Sequence, residues 1–321
     1  MLKYILRRIA ASIPVLLLAS VLVFVLVREF GADPARVRCQ QSRDVTCRER
    51  VTEELGLDAS LPEQYVTFMG DFLQGDWGDS QRTDRSVSES IRDALWETSQ
   101  LAFWAVLLSV VVAVAVGVYS ARRPYSPGDY LFTGLAFAGI AMPTFWFGLL
   151  VIQYGSYELQ QLTGSTEPFF YSIPNPIGSG PEDYFRELAL PVLVLSVQLV
   201  AGWSRYQRSA LLDELHSDYI RTARAKGLAQ RRVVWKHGLR NSLVPLVTVV
   251  ALDFGALFGG LIITERVFSR PGMGTLLLSA LNNGDTQIIL PWMIVTGALI
   301  IVFNLFADVL YGVLDPRVRV A

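Results

Sequence analysis

The sequence predicts an all-α polytopic membrane protein with six transmembrane helices and an extracytoplasmic insertion after the first, and three observations carry that prediction. Hydrophobic residues make up 52% of 321 positions and charged residues 18%, with a mean hydropathy of +0.38, which is too apolar for an ordinary soluble domain. Uncharged runs at 9–27, 101–120, 130–157, 188–204 and 286–307 each come near or above the roughly 17 residues that cross a bilayer, and 241–264 is interrupted only by Asp253. Basic residues mark one side: Lys3, Arg7 and Arg8 before the first span, Arg122 and Arg123 after the second, a dense set from Arg205 to Arg240, and Arg317 and Arg319 at the end. The opposite short loops hold only Arg186, Arg266 and Arg270, so both termini are expected in the cytoplasm. The boundaries that follow are a tail and first helix at 1–28, an outer domain at 29–97, a core at 98–315 containing a basic loop at 205–242, and a tail at 316–321.

In the first span Pro14 lies a turn or two inside and permits a kink. The apolar run is longer than a signal-peptide core and lacks a small-x-small cleavage site, which favours a retained anchor. The stretch after it is acidic and punctuated by Gly and Pro, with LPEQYVTFMGDFLQ spaced as an amphipathic helix through Tyr65, Phe68, Met69 and Phe72. Ser86 and Glu89 have capping-box spacing ahead of a helix that runs into the second span. Cys39 and Cys47 are the only cysteines; their spacer closes into a disulfide in an oxidising compartment, with two free thiols as the alternative.

The second and third spans are joined by too few residues to hold a domain, which makes them neighbours. Pro143 interrupts the third span near mid-membrane, either exposing backbone to a substrate path or kinking the helix for packing, and Phe145, Trp146 and Phe147 read as lipid or core aromatics. In the next outer loop, Pro168, Pro174, Pro176 and Pro181 deny regular strand pairing and imply an irregular docking surface. A carboxylate at bilayer depth costs on the order of 2.5–3.5 kcal/mol, so Asp253 is expected either on a wet translocation path or in a structural hydrogen bond to a partner subunit. Gly255, Ala256, Gly259 and Gly260 permit close helix approach, and Gly272 and Gly274 a tight outer corner. Asn304 and Asp308 share one face of the last span, with Asn304 a further path candidate and Asp308 near the cytoplasmic end, solvated or paired with an Arg.

The basic loop carries the sharpest local pattern. Asp218 starts a helix of about three turns, Gly227 offers a left-handed stop, and Leu228 folds back on Ala223. Tyr219, Ile220 and Ala223 share one face while Arg221 and Ala225 lie opposite, a small apolar ridge flanked by cations that suits a groove on a partner.

Several chemistries are excluded. Lys3, Lys226 and Lys236 are the only lysines and none follows a glycine loop, so the chain holds no ATPase of its own and needs no cofactor. His216 and His237 are the only histidines, without metal spacing or a nucleophile triad, and the basic loop lacks the aromatic platform of a nucleic-acid site.

Five stretches carry a resemblance: LPEQY with GDWGDS; AMPTFWFGLL; Tyr-Ile-x-Thr-Ala-x-Ala-x-Gly at 219–227 followed by Leu-Arg-Asn-x-Leu-x-Pro at 239–245; TERVFSRPGMG; and the closing LDPRVRV. Together they resemble the permease subunits of type I ABC importers, in the oligopeptide and dipeptide branch. Arg221 and Lys226 stand where the general EAA motif has acidic residues, as is typical of that branch. The family usually has an uncharged polar residue at Asp253 and does not generally require the cysteine pair.

The resemblance implies that the loop helix is a coupling helix, its partner contacts falling among Tyr219, Ile220, Thr222, Ala223, Arg224, Ala225, Gly227 and Leu228. It implies a prokaryotic cell-membrane complex containing a second homologous permease, two cytoplasmic ATPase subunits that bind ATP and Mg, and an extracytoplasmic substrate-binding protein. The cargo is a peptide by that resemblance, with nickel complexes and haem as alternatives. A gradient-driven transporter or channel is the rival from another class, and it would need ion sites across several spans where Asp253 stands nearly alone.

Overall fold

A computed structural model describes residues 2–39, 44, 46–174 and 180–314; Pro176 and the tail at 316–321 lie outside them. Among the described residues every regular element is helical. Helix α1 (Leu2–Phe30) stands largely exposed at the edge, as expected of a surface meant for lipid. It is held to the last helix by the Arg8–Asp308 ion pair at 3.1 Å, so the Arg-paired option is the one found for Asp308.

Outside the membrane, α2 (Pro34–Arg38) and α3 (Cys47–Glu54) form a small lobe. Asp33 caps α2 by accepting the N–H groups of Ala35 and Arg36. Cys39 and Cys47 are bonded, with Cα atoms 6.0 Å apart, beside a minimal core of Ala35 and Val51. Helix α4 (Leu61–Gln74) begins in a capping box of Ser60 and Glu63 and ends at Gly75, φ +87°. It leans on α1, with Tyr65 against Ser20 at 2.8 Å and Phe68 stacked on Phe24. The capping box expected at Ser86 and Glu89 is absent, because the Ser86 hydroxyl turns to Ser88 at 2.9 Å.

The core is the parallel pair α5 (Val87–Arg122) and α9 (Pro181–Leu215). Small residues bring their backbones together: Ser196 donates to the Ala105 carbonyl at 3.2 Å, and a Cβ on Gly117 would stand 2.7 Å from Gln207. Between them in sequence lie α6 (Pro127–Ala141), α7 (Thr144–Ile152), a π-helical stretch at Gln153–Glu158 and α8 (Leu159–Thr163). Pro143 breaks α6 from α7 with a bend of 103°, so the interruption expected at this proline is present in the third span. Its two halves nevertheless climb one helix: Asp129 opposes Arg208, Gly139 opposes Ala201, Thr144 bonds Gln198, and Gly155 meets Leu190. From Arg208 to Leu190 is 18 residues of α9, about 27 Å at 1.5 Å each, close to the hydrocarbon thickness. That makes the pair one broken span rather than a re-entrant loop. Helix continues past residue 157, and irregular backbone begins only at Gly164.

Beyond α9 come α10 (Asp218–Ala225), α11 (Gln230–Arg232), a second π-helical stretch at Val233–Gly238 and α12 (Leu239–Gly260). Then follow α13 (Ile262–Val267), α14 (Met273–Asn283) and α15 (Thr286–Leu314). Helices α12 and α15 pack through Phe303, whose Cβ stands 2.8 Å from where a Cβ on Gly255 would sit. Among the described residues five helices are long and apolar enough to cross a membrane, and the broken pair taken as one span makes six.

Candidate functional site

Helix α10 follows α9 after only His216 and Ser217 and is a short helix set between two spans at the basic end. Its length is eight residues, just over two turns and not the three expected. Gly227 lies at φ +75°, its N–H bonds the Arg224 carbonyl at 2.9 Å, and the Leu228 N–H reaches the Ala223 carbonyl at 3.3 Å. This is a Schellman closure, and the left-handed angle is what requires glycine there.

The orientation of the helix corrects the apolar-ridge reading. Ile220 is 0% and Ala223 8% exposed, both packed on Val233 with Leu228 closing over them. Ile220 and Ala223 therefore face the chain's own returning helix and are not the surface a partner grips, while Tyr219, the third residue of that ridge, is 41% exposed. The outward face consists of Thr222 and Ala225 between Arg221, Arg224 and Lys226, all exposed. Asp218 at the helix start pairs with Arg221 at 3.3 Å.

Tyr219 joins the helix to both neighbouring spans. Its hydroxyl donates to the Glu214 carboxylate at the end of α9 and accepts from Asn241 Nδ2 at 2.9 Å at the start of α12. Partial burial, then the bond to Glu214, raises the Tyr219 pKa, which keeps the hydroxyl a donor at neutral pH. The spans are fastened to each other directly as well: Gln207 Nε2 donates to Ser242 at 2.9 Å, and Gly238 sits against Leu211 and Leu215 where a Cβ would meet atoms 3.1 and 3.3 Å away.

The three path candidates in the membrane are not gathered at one place. Pro143 lines an open hollow of about 420 Å³ with Ala138, Ala141, Met142 and Trp146. Asp253 accepts a hydrogen bond from Trp203 Nε1 at 2.7 Å, so its partner is an indole of its own chain. Trp203 is two residues past Ala201 on α9, about 200° around the helix, which puts Pro143 and Asp253 on opposite sides of α9. Asn304 is half-buried on α15.

The outer turn holds a network that residue-by-residue sequence reading missed. Glu265, 1% exposed, accepts the Thr98 hydroxyl at 2.6 Å and the N–H groups of Gly274 and Thr275 at 2.8 and 3.0 Å. A carboxylate on α13 thus caps α14, and Thr98 completes the cap by accepting the Met273 N–H at 2.8 Å. Burial raises the Glu265 pKa, against the pull of Thr98, the two N–H groups and Arg270. Gly272 is required by space, since a Cβ there would stand 2.2 Å from Glu265 Oε1. The signal was a glutamate in the recognised TERVFSRPGMG stretch, at an apolar segment's end, and a threonine opposite it in no motif.

Comparison with known proteins matches these features. Residues 113–320 match the family described as binding-protein-dependent transport system inner membrane component, and residues 1–102 match its N-terminal companion. The chain is 38% identical over 321 residues to the oligopeptide transport system permease protein AppB of Bacillus subtilis, covering 99% of this chain and 100% of that one. It is 37% identical over 323 residues to the glutathione transport system permease protein GsiC of Salmonella paratyphi A, covering 99% of each. In fold it is similar to a chain of the inward-facing MetNI methionine ABC transporter, with a TM-score of 0.54 at 17% identity over 70% of this chain and 96% of that one. The chain belongs to the binding-protein-dependent inner-membrane transport components and is an ABC-transporter permease of the peptide class.

Proposed function

We propose that this permease forms half of the translocation path for peptides of the dipeptide and oligopeptide class, paired with a second homologous permease. Two cytoplasmic ATPase subunits bind ATP and Mg and drive it through α10, and an extracytoplasmic binding protein delivers the cargo. Both termini lie in the cytoplasm in this arrangement, on the side of the basic loops. The relatives named for oligopeptide and glutathione transport support a peptide cargo.

The observation that carries the reading is the mounting of α10. Ile220 and Ala223 are spent inside the loop, the exposed face sets Thr222 and Ala225 among cations, and Tyr219 ties the helix to the ends of both adjoining spans. A partner that displaces this helix displaces α9 and α12 with it. Asp253, given its bond to Trp203, serves as a structural acceptor in this scheme, and the open hollow at Pro143 is the better candidate for contact with cargo.

The test is reconstitution of the full complex in proteoliposomes with tritiated dialanine, a defined nonapeptide and radiolabelled glutathione as probes. Uptake of one probe that requires ATP and the binding protein, and is lost in Ala225→Glu, is the expected result. Uptake that persists without ATP and collapses with an ionophore would establish a gradient-driven transporter instead.

A further inference from the structure

The broken third span has no covalent path to the coupling loop except through the whole of α9, yet it is fastened to α9 at its cytoplasmic end by a buried ion pair. Arg208 Nε and Nη2 each bond an oxygen of Asp129 at 2.8 Å, and the Asp129 side chain is only 4% exposed. The same carboxylate accepts the N–H of Tyr125, which holds that non-glycine residue at φ +60° in the turn entering α6. Ser126 caps α6 by accepting the Asp129 N–H at 3.3 Å. Further up the same two helices, Arg205 lies over the Phe137 ring at 4.5 Å, and a Cβ on Gly139 would stand 3.2 Å from Ala201. Just past the break, Gln198 donates to Thr144 at 2.6 Å. The fastening to α9 is thus strongest and most rigid at Arg208, two turns before α9 ends at Leu215 and the chain enters α10.

We infer that Asp129 and Arg208 are positioning residues for transport: their bidentate pair makes α6 follow α9, so displacement of α10 reaches the Pro143 break. The physical basis is the geometry of the fork. Two parallel N–H···O bonds fix the angle between the helices as well as their separation, which a single contact does not. Packing of Gly139 on Ala201 alone leaves α6 free to pivot, because a small-residue contact resists approach and not rotation. The inference rests on the proposed ATP-driven mechanism.

The experiment uses the assembled complex of both permeases, ATPases and binding protein in nanodiscs, and reads basal ATP hydrolysis against hydrolysis stimulated by the liganded binding protein. Asp129→Asn keeps the shape and removes the charge; Arg208→Lys keeps the charge and removes the fork. In complexes that elute intact, both are expected to keep basal hydrolysis and lose at least about fivefold of the stimulation, within the usual range of coupling between sites. Asp129→Arg combined with Arg208→Asp restores part of it. Wild-type stimulation in both single variants overturns the inference, as does a proportional fall of basal and stimulated rates or failure of both variants to assemble, which makes the pair a folding element only. Absence of stimulation in the wild type sinks the ATP-driven reading itself, and the inference with it.

Discussion

Replacing Ile220 by alanine separates the mounting of α10 from its outward face. Ile220 is fully buried and touches Ala223, Val233 and Leu228, a satellite cluster without connection to the large α5–α9 core. Buried Ile→Ala changes cost about 2–5 kcal/mol, and a cluster this small relaxes into the space, which sets the expectation near the lower end, about 2 kcal/mol. That is roughly a 30-fold rise in local opening, confined to the loop. Hydrogen–deuterium exchange resolved to peptides within 218–228 measures it, with peptides from α5 and the membrane part of α9 as unchanged references. The companion variant is Ala225→Glu, which adds a carboxylate to the exposed face: exchange stays at the wild-type rate while binding-protein-stimulated ATP hydrolysis is lost. Exchange in Ile220→Ala that rises less than about threefold would refute the inward mounting. Normal stimulation in Ala225→Glu would refute the outward face as the docking surface. Ala223→Glu, the variant an outward apolar ridge would recommend, instead buries a charge against Val233 and is expected to loosen the loop and uncouple it together.

Three further outcomes are expected. Glu265→Gln keeps an oxygen for the N–H groups of Gly274 and Thr275, which share one carboxylate oxygen, but sets an NH2 against the Thr98 hydroxyl in place of its acceptor, leaving a buried donor unpaired at about 1–3 kcal/mol; the thermal midpoint in detergent falls, and an unchanged midpoint would remove the role of the Thr98 bond. Asp253→Asn retains an acceptor for Trp203 and keeps wild-type stability and uptake, whereas Asp253→Ala orphans the indole N–H and loses about 1–3 kcal/mol; lost uptake in the stable Asn variant would return Asp253 to the path. The Ser60 hydroxyl and N–H hold the Glu63 carboxyl below its ordinary value of 4.5. Its folded pKa being depressed, the capping contribution is present above about pH 4.5 and lost as pH falls through the folded value, so protection factors in the first turn of α4 drop below that pH, and Glu63→Gln abolishes the dependence.

The membrane spans, the short helix of the basic loop and its glycine stop were legible in the sequence because each depends on local pattern: run length, charge asymmetry, and a Gly–Leu pair at Schellman spacing. What was not legible depends on partners far away in the chain. Ile220 and Ala223 form an apolar stripe on any helical wheel, but a stripe states only that burial occurs; Val233, on a π-helical turn with no sequence signature, decided that it occurs inward. Asp253 was visible as an anomaly, and its partner Trp203, an ordinary aromatic in another span, was not. Asp129 sits in no motif; only the approach of α6 to α9 makes it half of a buried pair with Arg208. Ser86 shows the reverse case, a capping box correct in spacing and unmade in fact, because Ser88 offers its hydroxyl a nearer partner.

An eight-residue helix is below the length at which helices are stable alone in water, so α10 owes its existence to the surface it sits on. That surface is made of Val233 and Leu228 from the loop, with the Tyr219 hydroxyl between Glu214 and Asn241. A helix held only by its own backbone bonds would yield under load by fraying. One held by its side chains can leave its place only by breaking those contacts or by moving α9 and α12. The first route costs on the order of a few kcal/mol at one buried isoleucine and one bridged hydroxyl together. Movement of the spans is the cheaper response wherever the membrane helices have two packings closer in energy than that, and the ordering of these two costs is the physical condition for the loop to act as a lever.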